Sequence, residues 1–262
     1  MRPCMRTART DRIRALSVLA PKLIRLQNEF EHIPPGVSTE AKEIYRRGTP
    51  GRDLQVRYYI YVKGVPPDSV FRQLQWPVDQ EKPTAALSGI TLNADGLMIC
   101  AGRTPGQCHN GDKLDAPIQF TMQKPLKGEP RRFIFFSPGI RIPISIVPDP
   151  VQSEDKSCKL NVIRLSAKFE LALIEASGFP TNSDVRMRTS AGGEPGVIAK
   201  IDESGKTSTA DKSAGLAVKT DGKGTIQTTV LNNTTKTPMG TETVEVTAPG
   251  CSPKVSYEWG VF

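Results

Sequence analysis

Histidine is nearly missing from this 262-residue chain. Only His32 and His109 are present. The five cysteines, at 4, 100, 108, 158 and 251, form no C-x-x-C pair. Together these facts exclude the common zinc sites and a thioredoxin-type redox motif. No apolar run approaches the ~20 residues that a membrane-spanning helix needs. There is no G-x-S-x-G elbow, and no glycine loop opens a helix to cradle phosphate. Hydrophobic residues make up 37 %, under the ~45–50 % usual for globular chains, a figure that also counts glycine.

Glycine and proline are plentiful instead, 22 of each, and they punctuate short extended segments. That pattern reads as an all-β protein with many turns. The length suits one large or two ordinary domains. The formal net charge is +8, but it is uneven. Arg2, Arg6, Arg9, Arg12, Arg14, Lys22 and Arg25 face only Asp11 and Glu29 in the first thirty residues. The basic character belongs mostly to this tail, and no nucleic-acid partner is expected. Ile13, Leu16, Leu19, Leu23, Leu26 and Phe30 have helical spacing, with Pro21 interrupting or restarting the helix. The apolar stretch Ala15–Ala20 is shorter than a secretory core of ~7–15 residues. A native tail, a truncated signal and an upstream mis-start all stay open. The expectation is a basic tail outside the fold, helical or disordered.

One phrase is written twice. Gly64-Val65-Pro66-Pro67-Asp68-Ser69-Val70-Phe71-Arg72 returns as Gly178-Phe179-Pro180-Thr181-Asn182-Ser183-Asp184-Val185-Arg186. Before the first copy Val56, Tyr58, Ile60 and Val62 alternate with polar or aromatic residues. Before the second Phe169, Leu171 and Leu173 do the same. Period two places each set on one strand face. Glycine allows a sharp turn, proline fixes φ, and Asp or Asn followed by Ser bonds back to local amides. Each copy reads as strand, corner, strand, with Gly64, Pro66, Ser69, Gly178, Pro180 and Ser183 as the corner residues. The copies lie roughly 100 residues apart, the size of an immunoglobulin-like sandwich. The predicted organisation is a tail and linker over 1–50, a first β-sandwich module over 51–166 and a second over 167–262. Strands are expected at 54–63, 70–76, 86–92, 97–101, 117–123, 131–136, 140–147 and 159–165. In the second module they fall at 168–177, 184–190, 197–201, 216–219, 225–231, 241–247 and 254–259. Asn93-Ala94-Asp95-Gly96 and Asp221-Gly222-Lys223-Gly224 read as turns, Pro143 marks an edge strand, and 202–215 reads as a long loop.

Cys100 and Cys108 enclose a turn-rich loop that a disulfide could close. Cys158 and Cys251 sit near the end of each repeat, either paired or as two buried thiols. Catalysis finds little support. His109 next to Cys108 cannot easily face it, so no catalytic residue is assigned and the chain is expected not to be an enzyme. Calcium could find oxygens at Asn93 and Asp95, or at Asp149, Glu154 and Asp155, but neither cluster has an established spacing. No metal site and no cofactor are assigned. Tyr59 and Tyr61 fall opposite the inward residues of their strand. They either fill a gap between modules or stack on a sugar ring or peptide. With His109 they are the candidate ligand contacts.

The Gly178–Ser183 corner, the Asp221-Gly222-x-Gly224 turn and the run Gly240-Thr241…Val244-Glu245-Val246…Cys251–Gly260 complete the pattern. Over about residues 54–262, the chain resembles the tandem Ig-like β-sandwich modules of uncharacterised secreted bacterial proteins. The resemblance implies two immunoglobulin-like sandwiches, export to a secreted or periplasmic location, and a structural or adhesion-type role at the cell envelope. The partner would be a protein or glycan there. The alternative reading is a carbohydrate- or peptide-binding module.

Overall fold

The computed structural model describes residues 21–27, 29–30, 32–50, 52–78, 80, 82–101, 115–191, 194–195, 199–201, 207–209, 215–231 and 239–260. The chain divides into two compact units, one of residues 27–149 and one of residues 150–262 together with 1–26. Apart from one short helix, the regular structure of the described residues is all β-strand.

The first unit contains β1 (Ser38–Arg47), β2 (Gln55–Lys63), β3 (Phe71–Trp76), β4 (Thr84–Leu92), β5 (Met98–Cys100), β6 (Phe120–Gln123), β7 (Arg131–Ser137) and β8 (Ile140–Ile146). These make a three-stranded sheet, β1-β2-β6, and a five-stranded sheet, β5-β4-β3-β7-β8. The alternation in β2 sends Val56, Tyr58, Ile60 and Val62 inward, where they meet Phe71, Phe133, Phe135 and Ile142. Phe120, Phe133 and Phe135 form an aromatic trio with centroids 5.6 to 6.3 Å apart. Each such ring buried contributes ~1.5–3 kcal/mol. Pro143 lies on β8, an edge strand where a missing N–H costs little. The Asn93–Gly96 turn joins β4 to β5 as its residues predict, with the Asn93 side chain accepting from the amides of Asp95 and Leu97.

The second unit contains β9 (Val151–Asp155), β10 (Cys158–Arg164), β11 (Leu171–Ser177), β12 (Asp184–Ala191), β13 (Glu194–Pro195), β14 (Ala199–Ile201), β15 (Thr207–Thr209), β16 (Leu216–Lys219), β17 (Ile226–Leu231), β18 (Gly240–Thr247) and β19 (Lys254–Trp259). One sheet runs β9-β10-β11-β17. The other places β12 between β18 and both β13 and β16, with β19 beyond β18, while β14 pairs with β15 alone. Leu160, Val162, Ala172 and Ile174 of one sheet share a core with Val185, Met187, Val244, Val246, Tyr257 and Trp259 of the other. Phe169 stacks on Tyr257 at 4.4 Å.

The two units share a strand order. β6-β2-β1 corresponds to β17-β11-β10, and β4-β3-β7-β8 corresponds to β16-β12-β18-β19. The repeated corner falls at the same point in both. Gly64 closes β2 with φ +82°, and Gly178 closes β11 with φ +76°. Val65 and Phe179 then turn into their cores, Pro66 and Pro180 stay exposed, and Phe71 and Val185 resume as buried strand residues. Ser69 donates its N–H to Pro66 O, whereas Ser183 donates to the Thr220 hydroxyl, so the two corners are secured differently.

Four expectations change. Residues 38–47, predicted as connector within 1–50, form β1, paired along β2 from Ser38↔Lys63 to Arg47↔Gln55. Most of β1 is exposed, so no alternation of apolar residues announced it. The division falls between Asp149 and Pro150 rather than between 166 and 167, because β10 pairs along its length with β11 and β9. Cys158 therefore opens the second unit instead of closing the first. Finally, the tail from Pro21 onward belongs to the folded structure. Residues 21–27 and 29–30 are helical, and Leu23, Ile24, Leu26 and Phe30 are buried. Within the first unit, Gln27 accepts from Arg132 Nε at 3.0 Å, Glu29 pairs with Arg141 at 2.9 Å, and Phe30 meets Trp76 edge-on at 6.2 Å. Inside the expected 202–215 loop, Thr207–Thr209 is strand β15.

Cys158 and Cys251 are joined by a disulfide across 93 residues. Cys158 stands at the start of β10 and Cys251 between β18 and β19, so the bond ties the two sheets together. Cys100 is disulfide-bonded as well; Cys108, its expected partner, lies outside the described residues.

Candidate binding site

Two faces of the first unit carry chemistry. The first is the outer side of β2. Gln55, Arg57, Tyr59 and Tyr61 alternate with the core residues and are half-buried. Lys42 of β1 lies opposite Tyr59, and Glu40 opposite Tyr61. Arg57 stands 4.8 Å over the Tyr45 ring and donates to Gln119 at 3.1 Å. Tyr59 and Tyr61 thus lie on a strip with a cation–π pair at one end. Such a strip can stack on a flat sugar or peptide group. His109 lies outside the described residues.

The opposite side of β2 is closed. The buried Tyr58 hydroxyl reaches Glu43 at 3.4 Å, and Arg46 grips the same carboxylate with two bonds of 2.8 and 2.7 Å while also donating to Pro148 O. Arg46 holds the Glu43 carboxyl below its ordinary value. Burial, aided by the Glu43 charge, pushes Tyr58 up to about 12. This group fixes β1 to the sandwich and leaves Tyr58 protonated at any ordinary pH.

The second face is a groove beside β6. The three-stranded sheet is narrower than the five-stranded one it covers. A cavity of about 370 Å³ opens at its β6 side, lined by Gln73, Gln75, Gln119, Gln123 and Arg131 and by the apolar Leu87, Phe120, Met122 and Phe133. Gln73 is 3 % exposed, and its Oε1 has no hydrogen-bond partner. Arg131 bonds Glu129 at 3.4 Å through its terminal nitrogen, while its buried Nε has no acceptor. A buried polar atom without a partner costs ~1–3 kcal/mol. The lining is therefore part amide and part apolar, with one charge, Arg131, that Glu129 offsets, and with two polar atoms short of partners.

The amide cluster was missed in the sequence, though its signal was there. Extending the repeated phrase by one residue of the same face sets Gln73 against Met187, which is fully buried in the second core. An amide stands where its counterpart is a thioether.

A third polar feature lies inside the second unit. Glu242 precedes Val244 and Val246 in the alternation of β18, so it points inward with them and is 4 % exposed. Burial pushes its carboxyl up to about 7, with the Thr189 hydroxyl pulling partly the other way. Thr228 Oγ1 and Trp259 Nε1, on the same core, lack hydrogen-bond partners. Of the oxygens considered for calcium, three are engaged elsewhere, while Asp149 Oδ2 is buried without a hydrogen-bond partner. Asn93 caps its turn, Glu154 pairs with Lys159 at 2.8 Å, and Asp155 accepts from the Ser252 amide at 2.6 Å. Among the described residues, no three His, Cys, Asp or Glu side chains gather as metal ligands, and no helix is long and apolar enough to cross a membrane.

No family model matches the chain, and no curated protein matches it. Among solved structures it is similar to trypsin-activated alpha-2-macroglobulin from Escherichia coli, at 12 % identity and a TM-score of 0.23, over 87 % of this chain and 17 % of that one. It is also similar to red sea bream transglutaminase, at 11 % identity and a TM-score of 0.20, over 82 % of this chain and 29 % of that one. The chain thus spans less than a third of either. The fold described above rests on strand order and register, not on these likenesses.

Proposed function

We propose that the protein works outside the cytoplasm as a non-enzymatic pair of immunoglobulin-like modules with a structural or adhesion-type role at the cell envelope. The observation that carries this reading is the Cys158–Cys251 bond. Such a cross-link persists in oxidising compartments and is rare where thioredoxin and glutathione keep thiols reduced. The shared strand order and shared glycine corner support reading the units as copies of one module. The test is fractionation of native cells, with alkylation of free thiols before any reduction and mapping of the native N-terminus. Export predicts a blocked Cys158–Cys251 pair in the envelope or medium. A cytoplasmic pool with both thiols alkylated overturns the reading.

A second reading, a carbohydrate- or peptide-binding module, is favoured by the Tyr59–Tyr61 strip and by the amide-lined groove. Glycan-array binding lost in Tyr59→Ala or Tyr61→Ala would support the sugar form. Binding unchanged in both variants would remove that strip from consideration.

A further inference from the structure

We propose that the groove beside β6 is a strand-acceptor site, which takes an extended, uncharged, polar peptide segment of a partner protein as a fourth strand of the β1-β2-β6 sheet. The proposal rests on the peptide-binding reading above and names the site, the binding mode and the chemistry of the ligand.

The backbone supplies the first support. Lys124 donates its amide to Leu54 O, and Met122 and Phe120 pair with Val56 and Tyr58. In an antiparallel ladder inward and outward amides alternate. The N–H and C=O groups of Thr121 and Gln123 therefore point away from β2, toward an edge that no strand among the described residues pairs with. The two edges of this sheet are treated in opposite ways. β1 carries Glu40, Lys42, Glu43, Arg46 and Arg47 and breaks register between Glu43 and Tyr45. Charge and a bulge are the usual protections of an edge against further pairing. β6 has neither, and it presents Gln119, Thr121 and Gln123.

The side chains supply the second. Gln73 and Arg131 place an acceptor and a donor, each buried and without a partner, in the wall of the groove. The second unit fills the position of Gln73 with Met187 inside a closed core. The one charge in the lining, Arg131, is already paired with Glu129, so an uncharged ligand that offers an acceptor to its Nε suits the wall, whereas a cation would be desolvated without a counter-ion. A peptide strand fits both demands. Its main chain pairs with β6, and its inward side chains reach the amides.

The test begins with a random decapeptide library selected on the full chain. Each selected peptide is then synthesised with and without N-methyl groups at alternate residues. Thr121→Pro removes an outward N–H without touching the β2 ladder, and Gln73→Met closes the wall as Met187 does. Unmodified peptides are expected to bind, and the N-methylated forms and both variants to lose at least tenfold in affinity, with the thermal midpoint of Gln73→Met unchanged or raised. Selection of no peptide, or binding indifferent to N-methylation and to both variants, overturns the proposal. If the strand site fails while Tyr59→Ala still abolishes glycan binding, the broader binding reading survives without it.

Discussion

A β-carbon on Gly178 would stand 2.0 Å from the carbonyl oxygen of Ser157, and one on Gly64 would stand 1.9 Å from that of Gly36. Both glycines also hold positive φ. Each ends its strand by laying bare backbone against the chain that opens the neighbouring strand, so the two corners share a steric reason as well as a sequence.

Gly64→Ala and Gly178→Ala are therefore expected to destabilise their units by more than the ~1–2 kcal/mol of left-handed strain alone. Gly250→Ala, with positive φ but open space, should cost only that strain. Gly222→Ala has neither penalty and should be close to neutral. Urea unfolding of the four variants checks the ranking; equal losses in Gly178→Ala and Gly250→Ala would refute it.

Breaking the Cys158–Cys251 bond opens a loop of 93 residues. Loops of that length give ~2–5 kcal/mol of stabilisation, chiefly by restricting the unfolded chain. The double variant Cys158→Ser, Cys251→Ser should lose that much stability in guanidinium unfolding, and reduced wild-type protein, which gives up the Cys100 bond as well, should fall at least as far.

The Glu242 carboxyl ionises at about 7 in the fold against 4.5 ordinarily. Below pH 4.5 both folded and unfolded chains keep the proton, and its contribution is whole. Between pH 4.5 and 7 only the unfolded chain ionises, so stability falls as pH rises, by ~3 kcal/mol in all at 1.36 kcal/mol per pKa unit. Above pH 7 the effect is flat. Glu242→Gln should erase this slope and raise the thermal midpoint at pH 8 more than at pH 4.5.

Thr220 fastens the second corner: its hydroxyl accepts from the Ser183 amide at 2.8 Å and donates to Pro180 O at 2.6 Å. Thr220→Val keeps the shape and removes both bonds from a corner that is only partly buried. A loss of ~1 kcal/mol is expected, with hydrogen exchange at Ser183 accelerating before that at Met187.

Legibility in the sequence followed burial. β2, β8, β12 and β18 alternate apolar and polar residues because one side faces a core, and each was predicted within a residue or two of its observed limits. β1 could not be read, since almost all of its side chains meet solvent and pairing with β2 is what makes it a strand. β9 shows the same weakness beyond Val151. The corner glycines carry a local signal, since both hold positive φ, but the carbonyl pressed against each is a tertiary fact that no local pattern contains. Gln73 and Glu242 are legible in principle, as polar residues on inward registers, but the ordinary strand pattern around each hides them.

The chain's two tryptophans are divided between the units, and their indoles differ in setting. Trp76 is half-buried in the first unit and donates to Gln80 O, while Trp259 is sealed in the second with its N–H unmatched. Their emission should differ in colour, bluer for Trp259 and redder for Trp76. Intrinsic fluorescence can then follow the melting of either half of the molecule without any added label.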